Sequence, residues 1–451
     1  MALYQWAVTA GAADNPFSDD ALIQAMLRFE SGLATAQAKI GLIPAEAAGA
    51  IATHCTTLTL DGKQLAQEAA ETGSLAVPFV RALTVHIAAH DEAAARYVHF
   101  GATSQDALDT ATALCAKVAV SRLDAVLQRA IRAARALAQH HAATPALART
   151  LLQPATVTSI GLKCAHWTLS LSRVRRRLIR AGVDGLTVSL GGAVGNLAAY
   201  GDSGVMLRAE LAGVLGLHDP GGTWHTRRED WIALASEGAL ISGTLAKIAR
   251  DVAILSQAEV GEASEPVVAG RGSSTAMPHK RNPVLTMRVL AATHAVPAIM
   301  ASLLAAMPQE HERGLGNWQA ELAQYPDVLL RVLAAAEAMA DLLDGLQFDP
   351  ARCRANIDAL LGTVFSERLA ALLIPVLGRN EAQSLVTSMC RDAVETRTHL
   401  RQLAREHVAG DARLKGIAPA ELAAVFDVDA AAKPSATEAL RLLESLNRPK
   451  G

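Results

Sequence analysis

Residues 270–284, GRGSSTAMPHKRNPV, interrupt a helix-forming chain with two glycines, three consecutive hydroxyls, two prolines and the cations Arg271, Lys280 and Arg281. Gly270 and Gly272 free the backbone to bring N–H groups close to an anion. Ser273, Ser274 and Thr275 can give or take a proton, Lys280 adds a fixed positive charge, and Asn282 adds two amide dipoles. Such a run suits proton transfer beside an anion, although Gly, Ser and Pro are also the residues of ordinary interhelical loops. Two further segments bring polar groups to predicted helix ends. Thr103, Ser104 and Gln105, in RYVHFGATSQDALDT, stand at the mouth of a helix whose free N–H groups favour an anion; Thr103 or Ser104 there also serves as a plain cap. In MPQEHERGLGNW, Arg313 can grip a carboxylate through two parallel donors. The second histidine of a zinc-protease motif is missing, since position 315 is Leu315.

The elements that must hold these segments are helices. From Leu123 the apolar residues Val126, Leu127, Ala130, Ile131, Ala134, Leu137 and Ala138 follow three- and four-residue steps, with Arg122, Arg129, Arg132 and Arg135 mostly opposite. Similar runs cover 158–179, 230–260, 284–307 and 320–346, and strand signals are sparse, so an all-α fold is expected. Breakers place an N-terminal helical domain at 1–110, a central long-helix bundle at 111–350 and a C-terminal helical domain at 351–451. The run Asp429–Pro434 reads as a loop. A helix over 230–260 spans about 45 Å, and a bundle of that length is most simply completed by copies of the same chain.

The totals narrow the function. A formal charge of −2 excludes the basic face of a nucleic-acid binder but leaves room for a local cation cluster and a small anionic substrate. Mean hydropathy is +0.21, yet the most apolar run, 289–307, carries His294 and Pro297, so no membrane span is expected. No basic flank and long apolar run open the chain, and Cys55, Cys115, Cys164, Cys353 and Cys390 are dispersed without a CxxC pair. The expectation is a cytoplasmic protein with reduced thiols and neither metal nor other cofactor.

The loop at 270–284 resembles the signature of the fumarase/aspartase superfamily, Gly-Ser-Ser-x-x-x-Pro-x-Lys-x-Asn-Pro. The resemblance implies that Ser274, or its neighbour Ser273, handles the carbon-bound proton beside Lys280. "HxGxTSxD" at 99–106 and the HER centre at 311–313 belong to the same pattern. One stretch departs from it. Where adenylosuccinate lyases carry RTHGxHAEPTTFG, this chain has RTLLQPATVTSIG at 149–161, with Pro154 in place of the histidine general acid. The partner glutamate, five residues after Asn282, is Met287. An amine or hydroxide leaving group needs such an acid, whereas a carboxylate, with a pKa of about 4, does not.

Over nearly its whole length the chain therefore resembles the bacterial 3-carboxy-cis,cis-muconate cycloisomerase family, which closes a lactone in protocatechuate breakdown. RTxLQ at 149–153, GGAxGxLAA at 191–199, WHTxR at 224–228 and AAMPQEHERxLGxW at 305–318 carry the likeness, while many relatives have LQHATP where Pro154 stands here. The resemblance implies a tricarboxylate substrate bound by His99, Thr103, Ser104, Gln105, Gln153, Thr275, Met277, Asn282 and Arg313. His99 either binds substrate or braces the turn. It further implies three domains and a homotetramer whose active sites draw the polar segments from different subunits.

Overall fold

In a computed structural model the described residues are 8–9, 15–268, 272, 277 and 279–447. Helix α1 (Asp19–Lys39) starts where Ser18 accepts the Ala21 N–H at 3.2 Å, and it carries Asp19 and Asp20 in its first turn and Lys39 in its last. It is followed by α2 (Ala45–Thr57), α3 (Ala76–Ala88) and α4 (Ser104–His140), the last about 55 Å long at the standard rise. A hairpin of β1 (Pro145–Thr150) and β2 (Gln153–Ser159) leads to α5 (Ile160–Gly185) and α6 (Glu229–Leu255). Then come α7 (Val284–His294), α8 (Val296–Ala305) and α9 (Asn317–Gly345), followed by shorter helices to Ser445.

The chain divides into two compact units. One comprises Met1–Leu127, Arg173–Ala246 and Arg288–Glu337; the other comprises Gln128–Ser172, Lys247–Met287 and Ala338–Gly451. The first unit buries Met26, Leu27, Phe29 and Leu33 of α1, and stacks Trp231 on Tyr325 at 3.8 Å. The second has its own cluster, in which Leu147 and Val157, register partners across β1 and β2, join Phe365, Leu369, Met389, Leu400 and Phe426. The hairpin stem is thus part of that core.

The all-α expectation holds, with local corrections. The hairpin was missed because its strands are short, each carries a proline, and only Thr156, Val157 and Thr158 make a β-branched run. The run 284–307 is two helices, broken at Ala295 ahead of Pro297, whose ring opens the second. Asp429–Pro434 is helical within Val428–Ser445, started by Asp427, which accepts the Asp429 and Ala430 N–H groups. By length and composition alone α6 and the stretch Val284–Ala305 would suffice to cross a membrane; half of the most apolar window of α6 is buried inside the fold.

Candidate active site

The first unit builds a tightly hydrogen-bonded corner at the start of α4. Asp106, one turn in, reaches back to the Thr103 N–H at 3.1 Å. Its fully buried carboxylate also accepts the Gly191 and Gly192 N–H groups at 2.9 Å each and the Ser189 hydroxyl at 3.4 Å. His225 Nε2 lies 2.7 Å from the same carboxylate. Five donors therefore fix the turn. Gly101, at φ 75°, permits it, since a Cβ there would come within 2.4 Å of the Tyr200 ring.

On this corner the structure brings together two of the sequence-selected residues. Arg313 donates through Nη2 to the Thr103 hydroxyl, and its buried Nε has no partner among the described residues. The segment carrying it is held by Thr226 donating to the His311 carbonyl at 3.2 Å and Asn317 donating to the Pro308 carbonyl at 2.8 Å. Thr103 and Ser104 are half-buried. Arg313 and Thr103 thus meet within one chain.

His99 and Gln105 take bracing positions. His99, at φ 56°, sets Nδ1 2.6 Å from Glu30 Oε1, while its N–H donates to Oε2 at 3.1 Å. Burial alone would lower its pKa, but the charge and hydrogen bond of Glu30, with Asp106 beyond, hold it above the usual value. Gln105 is buried and donates to Asp109 at 3.1 Å and to the His225 carbonyl at 2.8 Å. Asp109 also accepts from Arg228 at 2.7 Å and from Trp318 Nε1 at 2.9 Å, and Glu321 accepts from Arg228 Nε at 3.1 Å. Burial works against the Arg228 charge, and Asp109 with Glu321 raises its pKa nonetheless. This network anchors α4, α9 and the 224–228 turn to one another.

The second unit carries the remaining residues. Gln153 lies exposed at the hairpin tip, next to Leu151 and Leu152, both left-handed and exposed. Arg149, at the base of the turn, donates to buried Glu262 at 3.0 and 2.6 Å, and Asn356 donates to the same carboxylate at 2.8 Å. The neck of the signature loop is closed where Asn282 donates from its backbone and side chain to the Gly272 carbonyl, at 3.0 and 3.3 Å. Below it Glu265 accepts the Leu285 and Thr286 N–H groups at 3.0 and 2.7 Å, capping α7. Met277 and Lys280 are exposed, with the Lys280 N–H donating to the Met277 carbonyl at 3.0 Å. Ser273, Ser274 and Thr275 lie outside the described residues. A cavity of about 880 Å³ lined by Ser366, Glu367, Arg379 and Thr387 includes none of the candidate residues.

Sequence reading passed over Asp106, His225, Asp109, Glu321, Glu30, Glu262 and Glu265. Asp106 and His225 stand inside quoted motifs and could have been found there; the buried glutamates have no local signal, because their partners are distant in sequence. The cluster of His54, His86 and His90 was also missed, because His54 joins the closely spaced His86 and His90 from a different helix.

The sequence profile of a family described as lyase matches residues 7–295. The chain belongs to this lyase family. Over 95% of both chains the lyase is 42% identical to a 3-carboxy-cis,cis-muconate cycloisomerase of Bradyrhizobium diazoefficiens. It is also 42% identical to a nitrosuccinate lyase of Streptomyces davaonensis, over 86% of this chain and 83% of that one. A crystal structure of the 3-carboxy-cis,cis-muconate lactonizing enzyme from Pseudomonas putida superposes with a TM-score of 0.91 at 36% identity, covering 99% of each chain. The lyase therefore shares the all-α fumarase/aspartase-type fold.

Proposed function

We infer that this lyase is a 3-carboxy-cis,cis-muconate cycloisomerase, forming 4-carboxymuconolactone in the protocatechuate branch of aromatic breakdown. The near full-length likeness to cycloisomerases carries the reading, and the chemistry of the site agrees with it. One substrate carboxylate attacks the nearer carbon of the other double bond of the diene, forming the C–O bond of a five-membered lactone and pushing that bond's π electrons onto its far carbon and the carboxylate that carbon bears. The Ser274 hydroxyl delivers a proton to that carbon, and solvent reprotonates the serine. No bond to a basic leaving group breaks, so Pro154 and Met287 leave no step without its acid. In reverse the same serine is the base, and the loop N–H groups with Lys280 favour its alkoxide.

Arg313 and the Thr103–Ser104 turn hold a substrate carboxylate, with Arg313 Nε and Nη2 offering the paired donors. Gln153, Lys280 and Asn282, with Thr275 and Met277, contact the rest of the tricarboxylate and stabilise the enolate-like charge. Gln105 and His99 position the corner. Holding the acid curled supplies much of the acceleration. The same proposal includes the three-domain division at 1–110, 111–350 and 351–451, a homotetramer with sites shared between subunits, and a cytoplasmic enzyme that needs no metal for turnover and engages no membrane or nucleic acid.

A second reading has its own support in the likeness to a nitrosuccinate lyase. Nitrite is also a weakly basic leaving group and needs no acid. An adenylosuccinate-type elimination is disfavoured by Pro154 and Met287, and an idle binding protein by the intact Ser274, Lys280, Asn282 and Arg313. The test is loss of diene absorbance from 3-carboxy-cis,cis-muconate with EDTA present, beside nitrite release from nitrosuccinate. Rapid diene loss without nitrite release is expected; the opposite pattern replaces the assignment.

A further inference from the structure

Three imidazoles converge on the first unit from two helix ends. His54 lies in the last turn of α2, His86 in the last turn of α3, and His90 one turn further on. His86 and His90 are four residues apart, the spacing that sets two side chains on one helix face. One ring nitrogen from each of the three lies within 4.8 Å of the others, and His54 Nδ1 is 3.4 Å from His86 Nε2. Ring centroids are 4.8 to 5.3 Å apart. None of the three is paired with a carboxylate among the described residues, so the grouping is not a set of ordinary ion pairs.

We propose that His54, His86 and His90 bind one divalent transition-metal ion of the zinc class, with the remaining coordination position open to water. Tetrahedral zinc–nitrogen bonds of ~2.0–2.1 Å put neighbouring ligand nitrogens about 3.3–3.4 Å apart. The His54–His86 pair already stands at that separation. The third ligand must close by no more than about 1.4 Å, from under 4.8 Å to the same edge, and His90 is exposed beyond the helix end, where it can turn. His90 Nδ1 lies 2.9 Å from the His86 carbonyl oxygen; donating its N–H there leaves Nε2 with its lone pair for a metal, the usual bracing of a ligand histidine. Two helix C-termini meet at the site, and their partial negative charge favours a cation. Imidazole donors select zinc, nickel, cobalt or copper over magnesium or calcium. The bound ion ties α2 to α3 and stabilises the fold by mass action, separately from the chemistry at Thr103 and Arg313.

Tag-free, full-length protein stripped with EDTA is titrated with Zn²⁺ by calorimetry, with Mg²⁺ as control and Co²⁺ absorbance as the report on tetrahedral nitrogen ligation. One Zn²⁺ per chain, a higher melting temperature, no heat from Mg²⁺, and a cobalt spectrum are expected. His90→Gln, an exposed substitution, and His86→Gln each weaken zinc binding by at least about tenfold, the scale on which even indirect partners of a ligand act. Turnover of carboxymuconate stays unchanged in both. Absence of zinc binding to the wild-type chain overturns the proposal, as does zinc affinity in folded His90→Gln equal to wild type.

Discussion

Arg313 and Thr103 lie 210 positions apart, and a single hydrogen bond joins their side chains at the start of α4. What makes that bond reproducible is behind it: Asp106 holds the Thr103 backbone, and His99 with Glu30 holds the preceding turn. The charge of His99 there responds to pH. Burial disfavours its charged form, and Glu30 more than compensates, so its pKa in the fold stands above the unfolded value of about 6.5. The pair therefore contributes its full stability below that value and loses it as pH rises through the higher, folded value. Accordingly, the melting temperature of wild type relative to Glu30→Gln should be greatest in mild acid and shrink as the pH passes above neutrality. A difference that stays constant across that range would show that His99 does not titrate in contact with Glu30.

Between residues and the whole molecule, hairpin and loop do the positioning. The hairpin has its stem in a hydrophobic core and a tip that sends Gln153 outward, and the Arg149–Glu262 pair fixes its base. The signature loop is pinched at Gly272, whose φ of 75° and whose separation of 2.6 Å between a built Cβ and the Asn282 carbonyl oxygen both demand glycine. Gly272→Ala should lower the melting temperature by only a few degrees, because the left-handed strain of alanine is about 1–2 kcal/mol and the clash with the Asn282 oxygen is relieved by opening the neck. It should lower kcat at least tenfold by displacing the loop that carries the proton donor; unchanged kcat would mean that the neck does not set the loop's position. Sequence alone yielded the long helices and the three polar segments, since each is written in local spacing or a contiguous motif. It did not yield the hairpin, whose strands are short and carry a proline each, or the break at Ala295, where Pro297 opens a second helix inside an otherwise continuous apolar run. The buried ion pairs of Arg149 and Arg228 were also illegible, because distance in sequence hides which charge meets which.

At the scale of the molecule, the isolated chain leaves the large apolar side chains of Leu151, Leu152, Val205, Met206 and Leu315 on its surface. Covering that surface with further copies is the physical argument for the proposed tetramer, beside the resemblance that first suggested it. The proposed catalytic parts divide between the Arg313–Thr103 corner and the Ser274 loop, and in the proposed tetramer each working site takes them from different chains. Ser274→Ala and Arg313→Ala are then each inactive as pure oligomers. Unfolded together and refolded as mixed oligomers, they should regain carboxymuconate turnover, because some sites receive an intact loop from one chain and an intact corner from another. Mixed oligomers, verified by mass, that remain as inactive as either parent would contradict the shared site, and a pure Ser274→Ala enzyme that turns over at the wild-type rate would contradict the proton donor itself.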